Sequence, residues 1–154
     1  MLNASRVLIA SHGTPGARAA ERAALELAAP GAAILHLVVV PDFWKGMMGD
    51  DWLNNASTRA AYGRHVESQL AQEIEQHRIA LEREIRASGR HYEIKVVVGK
   101  PDEALLDYAA AAQPDLVVIG APRPRGTPGL RSRMRVEKLI GALAVALVVI
   151  PHPR

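Results

Sequence analysis

The chain has 154 residues, a formal net charge of +3 and no cysteine. A chain of this length buries enough apolar surface to fold as one domain without a covalent staple, and the lack of cysteine excludes disulfides and thiolate chemistry. The first apolar segment, Val7 to Ala10, is too short for a signal peptide or a membrane span, so we expect a cytoplasmic protein.

Short runs of β-branched and aliphatic residues predict strands at Arg6 to Ala10, Ala33 to Val39, Tyr92 to Val98, Asp115 to Ile119 and Ala144 to Ile150. Within the first, fourth and fifth runs, the segments Val7 to Ile9, Leu116 to Ile119 and Ala146 to Ile150 are apolar without alternation, which is typical of parallel strands covered on both faces. The sequence therefore predicts a buried parallel sheet.

Helical patterns separate these strands. The first begins at Thr14-Pro15 and ends before Pro30-Gly31, the second runs from about Ser57 to Ser88, the third begins at Pro101, and the fourth spans about Met134 to Ala142. Alternating strands and helices predict βαβ units. We predict one Rossmann-like α/β domain over residues 1–154, with a five-stranded parallel sheet in the order 3-2-1-4-5 and four helices on both faces. Ligands of such sheets bind at the carboxyl ends of strands one and four, where the strand order reverses.

Four segments of the chain resemble the universal stress protein family. They are RVLIASHGT from Arg6, ILHLV from Ile34, VVGKPDEALL from Val97 and PDLVVIG from Pro114. The resemblance covers essentially the whole chain. It implies an adenine nucleotide alpha hydrolase-like fold, a role in the stress response, and ATP or another adenine nucleotide as the family's ligand.

The family's most specific signature is Gly-x2-Gly-x9-Gly-Ser/Thr after the fourth strand, where backbone amides bind nucleotide phosphates. Here Gly120 keeps the first position, but arginines replace the other two glycines and Met134 replaces the hydroxyl residue. The resemblance places adenosine contacts at Ala10, His12, Leu37, Ile119 and Gly120, and phosphate contacts at Arg123, Arg133, Met134 and Arg135. Because the motif is degenerate, we expect no ATP binding in the usual family manner. The alternative is that the arginines replace the glycines and bind ATP, AMP or another anion.

The sequence leaves more than one possible function for each of two long connections. The arginine-rich segment 121–135 is a solvated loop, an anion site or a nucleic-acid contact, and nucleic acid is disfavoured because no aromatic residue is there to stack on bases. The segment 41–56 concentrates aromatic residues and methionines, including Phe43, Trp44 and Trp52. It is either a surface for a protein partner or a flap over the domain's own edge.

The remaining candidate side chains predict little chemistry. His36 falls within a strand and His77 on the apolar stripe of the long helix, so we interpret both as core or boundary residues and expect no metal. Ser11 lacks a nucleophile elbow, so we predict no catalytic residue and no enzyme, although an unrecognised hydrolase or transferase is the third alternative.

The last predicted strand is apolar and terminal, so we expect it to be an edge strand that needs a partner. The resemblance implies a homodimer through this strand, with Ala146, Val148 and Ile150 as interface residues. The leading hypothesis is a non-catalytic binding or signalling module of the stress response that acts as a homodimer, without a membrane partner.

Overall fold

The computed structural model describes residues 4–11, 15–41, 72, 74–121 and 134–151. The strands are β1 (Ala4–Ala10), β2 (Ala28–Pro41), β3 (His91–Gly99), β4 (Leu116–Gly120) and β5 (Ala146–Ile150). The helices are α1 (Pro15–Leu27), α2 (74–87), α3 (Pro101–Ala112) and α4 (Val136–Ala142). The long helix predicted over Ser57 to Ser88 is therefore confirmed over 74–87, while most of its first half lies outside the described residues.

The strands form one parallel sheet in the order β3-β2-β1-β4-β5, which confirms the predicted order. In the centre of the sheet, Leu8 of β1 lies opposite Leu35 of β2 on one side and Val117 of β4 on the other. The residues at the centre of these strands are apolar because both of their faces are covered.

Two apolar cores lie on opposite faces of the sheet. The first core packs α1 and α2 against one face, and its buried side chains include Ile9, Ile34 and Ile85. The second core packs α3 and α4 against the other face and includes Leu8 and Leu105. Successive residues of β1 alternate between the two cores because strand side chains point to opposite faces. The prediction of helices on both faces is thus confirmed.

Strand β2 begins earlier than predicted, at Ala28 rather than at Ala33. Its register against β1 shifts between the pairs Ala4–Ala28 and Arg6–Ala33, and Gly31 lies in this irregular stretch with a φ of 75°. Glycine adopts this left-handed conformation without the steric cost that a side chain brings. The Pro30-Gly31 pair, predicted to follow the helix, therefore forms a bulge inside the strand.

Backbone geometry fixes the end of α2. The N–H of Gly89 donates to the carbonyl of Arg86 at 3.0 Å, the N–H of Arg90 donates to that of Ile85 at 3.3 Å, and Gly89 has a φ of 82°. This is the hydrogen-bond pattern of a Schellman motif, and it confirms the predicted stop at Gly89. Among the described helices, none combines the length and the apolar character needed to cross a bilayer.

Candidate functional site

The strand order places a switch point at β1. From β1 the chain proceeds to β2 and β3 on one side of the sheet, and β4 and β5 follow on the other side. Diverging connections leave a crevice outside the carboxyl ends of the two central strands, and this is where open α/β sheets bind ligands. The predicted location of the crevice, between β1 and β4, agrees with this topology.

Four of the predicted adenosine-contacting residues end these strands or pair with their ends. Ala10 is the last residue of β1 and lies opposite Leu37, while Ile119 and Gly120 end β4. The side chains of Leu37 and Ile119 are buried in the second core. Their side chains are therefore closed to a ligand, and the carbonyl of Leu37 already accepts the N–H of Ser11 at 3.3 Å. Ala10 and Gly120, in contrast, are half-buried and lack bulky side chains.

Arg135 and Asp102 join the two helices on the second-core face. The Arg135 Nε donates to Asp102 Oδ2 at 3.0 Å. The side chain of Asp102 is only 2% exposed, whereas that of Arg135 is 66% exposed. Because α3 follows β3 directly, Asp102 in its first turn lies at the carboxyl edge of the sheet. The ion pair therefore holds the start of α4, and one predicted phosphate-contacting arginine, at that same edge.

The environment of Asp102 favours its ionised form. Burial by itself raises the pKa of this carboxyl, but hydrogen bonds from Arg135 and from the Glu103 backbone N–H, with the nearby charge of Lys138, outweigh it. The pKa of Asp102 therefore lies below its usual range. A charged carboxylate at this position keeps the guanidinium of Arg135 anchored near neutral pH.

Other predicted site residues divide into two groups. Met134 precedes α4, is half-buried and packs against the second core, so its thioether is part of the fold. His12, Arg123, Arg133 and most of the segment 41–56 lie outside the described residues.

A second group of polar side chains is buried on the opposite, first-core face. We call Ser11, Glu21, His36, His77 and Tyr92 the buried histidine cluster. His77 Nε2 lies 2.7 Å from Glu21 Oε1, and the hydroxyl of Ser11 donates to the same carboxylate oxygen. His36 Nδ1 lies 2.7 Å from the Tyr92 hydroxyl, and His36 Nε2 lies 3.1 Å from the backbone carbonyl of Ser11.

The carbonyl of Ser11 fixes the hydrogen positions in this cluster. A carbonyl oxygen only accepts, so the neutral imidazole of His36 carries its proton on Nε2 and accepts the Tyr92 hydroxyl proton at Nδ1. Burial raises the pKa of Tyr92 well above its usual range, so this hydroxyl remains a donor. His36 is fully buried and His77 half-buried, which agrees with their interpretation as core and boundary residues.

Sequence reasoning missed Glu21 and Asp102. Glu21 lies on the apolar stripe of α1, one turn from Ala17 and next to Ala20. A carboxylate on such a stripe indicates that it is buried and has a polar partner, so the sequence did contain a sign of this contact. Asp102 follows the proline that starts α3, where acidic residues are ordinary, so the sequence held no sign of its burial.

The predicted interface strand β5 is an edge of the sheet. Of the three predicted interface residues, Ala146 is exposed, whereas Val148 and Ile150 are half-buried and pack against the first core. Val149, on the other face of this strand, is 38% exposed. Val149 is therefore the exposed large apolar side chain of this strand.

Comparison with known proteins identifies the family. The sequence matches the universal stress protein family over residues 3–150. No curated protein matches the chain. Among solved structures, the hypothetical protein MJ0577 is similar with a TM-score of 0.75 at 14% identity, with 97% of each chain covered. The universal stress protein UspA from Lactobacillus plantarum gives 0.64 at 18% identity, with 96% of this chain and 98% of that chain covered.

A third structure, of a universal stress protein in complex with cAMP, gives a TM-score of 0.52 at 15% identity, with 98% of this chain and 99% of that chain covered. At these identities the structural neighbours establish the fold alone, whereas the family match spans nearly the entire sequence. The chain belongs to the universal stress protein family.

Proposed function

We propose that the protein is a non-catalytic binding module of the stress response whose crevice at the carboxyl edge takes a small anionic ligand, with adenine nucleotides as the first class to test. The observation that carries this proposal is the Asp102–Arg135 ion pair. It anchors a largely exposed guanidinium beside the crevice instead of leaving it free in solvent.

An anchored arginine suits a phosphate group for two reasons. Its planar fork presents several N–H donors, and among the described residues Asp102 contacts only Nε, which leaves the outer nitrogens for a ligand. Its anchoring also removes part of the side-chain entropy that ligand binding would otherwise have to overcome. An arginine side chain thus takes over the role for which the family signature uses backbone amides.

The adjacent strand ends suit the remainder of a nucleotide. Ala10 and Gly120 are half-buried and lack bulky side chains, so a ligand can approach these strand ends closely. One structural neighbour is a universal stress protein in complex with cAMP, a ligand that combines adenosine with a phosphate. An adenine nucleotide likewise suits a crevice at the ends of β1 and β4 with an arginine beside it.

A homodimer completes the proposal. The edge strand β5 has apolar residues and one partner strand among the described residues, and an exposed edge of this kind promotes association. A symmetric pairing of two β5 strands would cover Val149 and close the edge.

Calorimetric titration of the purified protein with ATP, ADP, AMP and cAMP tests the ligand. Arg135→Ala is expected to weaken binding by about tenfold, the equivalent of one charge-assisted hydrogen bond. Lys138→Ala is the matched control. It also removes a positive charge near the start of α4, but the charge of Lys138 pairs with the exposed carboxylate of Glu103. We expect it to change affinity less than about twofold.

Three results would contradict the proposal. If none of these nucleotides binds, and denatured protein releases none, the ligand class is wrong. If a nucleotide binds equally well to Arg135→Ala, the anchored arginine has no role. Release of phosphate from bound ATP at a rate above that of a buffer blank would refute the non-catalytic assignment.

A further inference from the structure

The buried histidine cluster has a composition that the fold by itself does not require. Glu21, His36 and His77 come from α1, β2 and α2, and they converge inside a core otherwise built from side chains such as Ile34 and Leu81. Burying two imidazoles and a carboxylate costs free energy unless each finds a partner, and apolar side chains would fill the same space at lower cost.

The three side chains offer the donors of a transition-metal site. One ligand atom from each lies within 4.8 Å of the other two. Two histidines and a glutamate are a protein ligand set of zinc, which keeps a fourth position for water or another small ligand. We propose that Glu21, His36 and His77 bind a divalent transition metal, with Zn²⁺ as the ion that the donor set fits best.

In this proposal the metal ion lies between Glu21 and His77, where a hydrogen bond now joins the two side chains. Ligand atoms on tetrahedral zinc lie about 3.3 Å apart, since each bond is about 2.0–2.1 Å long. His77 Nε2 and Glu21 Oε1 are 2.7 Å apart with a shared proton between them. A metal ion replaces this proton and widens the pair by about 0.6 Å, a movement that side-chain rotation accommodates.

Outer-shell partners are already in place. Whichever ring nitrogen of His36 binds the metal, the other keeps a partner: the Ser11 carbonyl at Nε2 or the Tyr92 hydroxyl at Nδ1. The hydroxyl of Ser11 holds the carboxylate of Glu21. Hydrogen bonds of this kind orient metal ligands and tune their basicity.

Two of the three ligands border a cavity. A cavity of about 200 Å³ borders Glu21 and His77, and its wall includes Arg18, Arg22 and Glu84. An ion reaches the cluster from this side, and the fourth position is open to water or to a small anion attracted by the two arginines. The metal ligands lie on the first-core face and Arg135 on the second-core face, so the two proposals rest on different side chains, although Ser11 of the cluster directly follows Ala10 at the crevice.

The test uses the full chain after removal of metals with a chelator and dialysis. Titration with Co²⁺ is followed by visible absorption, which reports tetrahedral coordination, and Zn²⁺ binding is measured by calorimetry. We expect one equivalent of each to bind and Mg²⁺ not to compete, because imidazole donors do not suit magnesium.

Variants separate this site from adventitious surface binding. Glu21→Gln and His77→Gln are expected to weaken Zn²⁺ binding at least about 100-fold, since loss of an outer-shell partner alone costs about 10–100-fold. Glu84→Gln is the matched control: it removes a carboxylate from the same cavity but no ligand, and its affinity should stay within about threefold.

Circular dichroism of each variant verifies that it is folded, and His36→Ala is avoided because this side chain is fully buried. Absence of stoichiometric Co²⁺ and Zn²⁺ binding to the parent protein would overturn the proposal. Binding that persists unchanged in folded Glu21→Gln and His77→Gln would overturn it as well, because the metal would then lie elsewhere.

Discussion

The ion pair between Asp102 and Arg135 connects the start of α3 to the start of α4, and we predict that Asp102→Asn destabilises the protein. Asparagine keeps an oxygen that can accept the Glu103 N–H, now 2.8 Å from the carboxylate, but it loses the charge that attracts Arg135. A hydrogen bond to a charged group contributes about 1.5–3 kcal/mol. Because 66% of the Arg135 side chain is exposed, water replaces part of the lost interaction. We therefore expect a loss of stability at the lower end of this range, about 1.5 kcal/mol.

A loss of about 1.5 kcal/mol lowers the melting temperature by about 3–6 °C in a domain of this size. Glu103→Gln is the control, since Glu103 is the next residue in the chain and pairs with Lys138 at 3.2 Å in an exposed ion pair. Exposed pairs contribute about 0–1 kcal/mol, so this control should unfold at most about 4 °C below the parent protein and should lose less than Asp102→Asn.

The effect of Asp102→Asn also has a defined pH dependence. The pKa of Asp102 is lowered in the folded protein, so its contribution to stability is fully present above the unfolded pKa of about 3.9. The contribution is lost as the pH falls through the lowered folded pKa. The difference in melting temperature between the parent and Asp102→Asn should therefore be constant from pH 7 to about 5 and decrease below about 4.

Thermal unfolding followed by circular dichroism, at pH 7, 5, 4 and 3, measures this difference. Equal melting temperatures for the parent and Asp102→Asn at pH 7 would refute the assigned strength of the ion pair. A difference that stays the same down to pH 3 would refute its electrostatic origin.

Three further predictions follow from the fold and the crevice. Val149→Lys on β5 should convert the proposed homodimer to a monomer on size-exclusion chromatography. Val96→Lys, on the opposite edge strand β3, where the side chain is 48% exposed, should elute as the parent does. Equal elution of the parent and both variants would place the interface elsewhere. Leu8→Ala in the second core should cost about 2–5 kcal/mol in urea denaturation, and a cost below 1 kcal/mol would contradict its complete burial. Replacing Arg123 and Arg133 together by alanine should abolish calorimetric nucleotide binding, and unchanged affinity would reject the replacement of glycines by arginines.

Much of the fold was predictable because its signals are local. The apolar residues Val7 to Ile9 of β1 and Leu116 to Ile119 of β4 reflect two covered faces, and Gly89 ends α2 because it adopts a positive φ angle. Boundaries were less certain where a bulge was involved. Strand β2 continues back through Gly31 because pairing with β1 overrides the turn preference of the Pro30-Gly31 pair.

The crevice was predictable for a related reason. Parallel strands joined by helices put all their carboxyl ends at one edge, so Ala10 and Gly120 could be assigned to the same site from the sequence of elements. Their neighbours Leu37 and Ile119 could be located as well, but only the packed structure showed that their side chains belong to the core.

The sequence by itself thus determined the layers, the strand order, the family and the edge at which we propose that a ligand binds, since each depends on periodicity, local breakers and motif spacing. Tertiary structure alone decided the polar contacts: Arg135 meets Asp102 across 33 residues, and His77 meets Glu21 across 56. No local pattern selects such partners. These contacts depend on which helices pack on the same side of the sheet. That packing places Asp102 of α3 beside Arg135 and Glu21 of α1 beside His77, and each acid thereby becomes part of a candidate site.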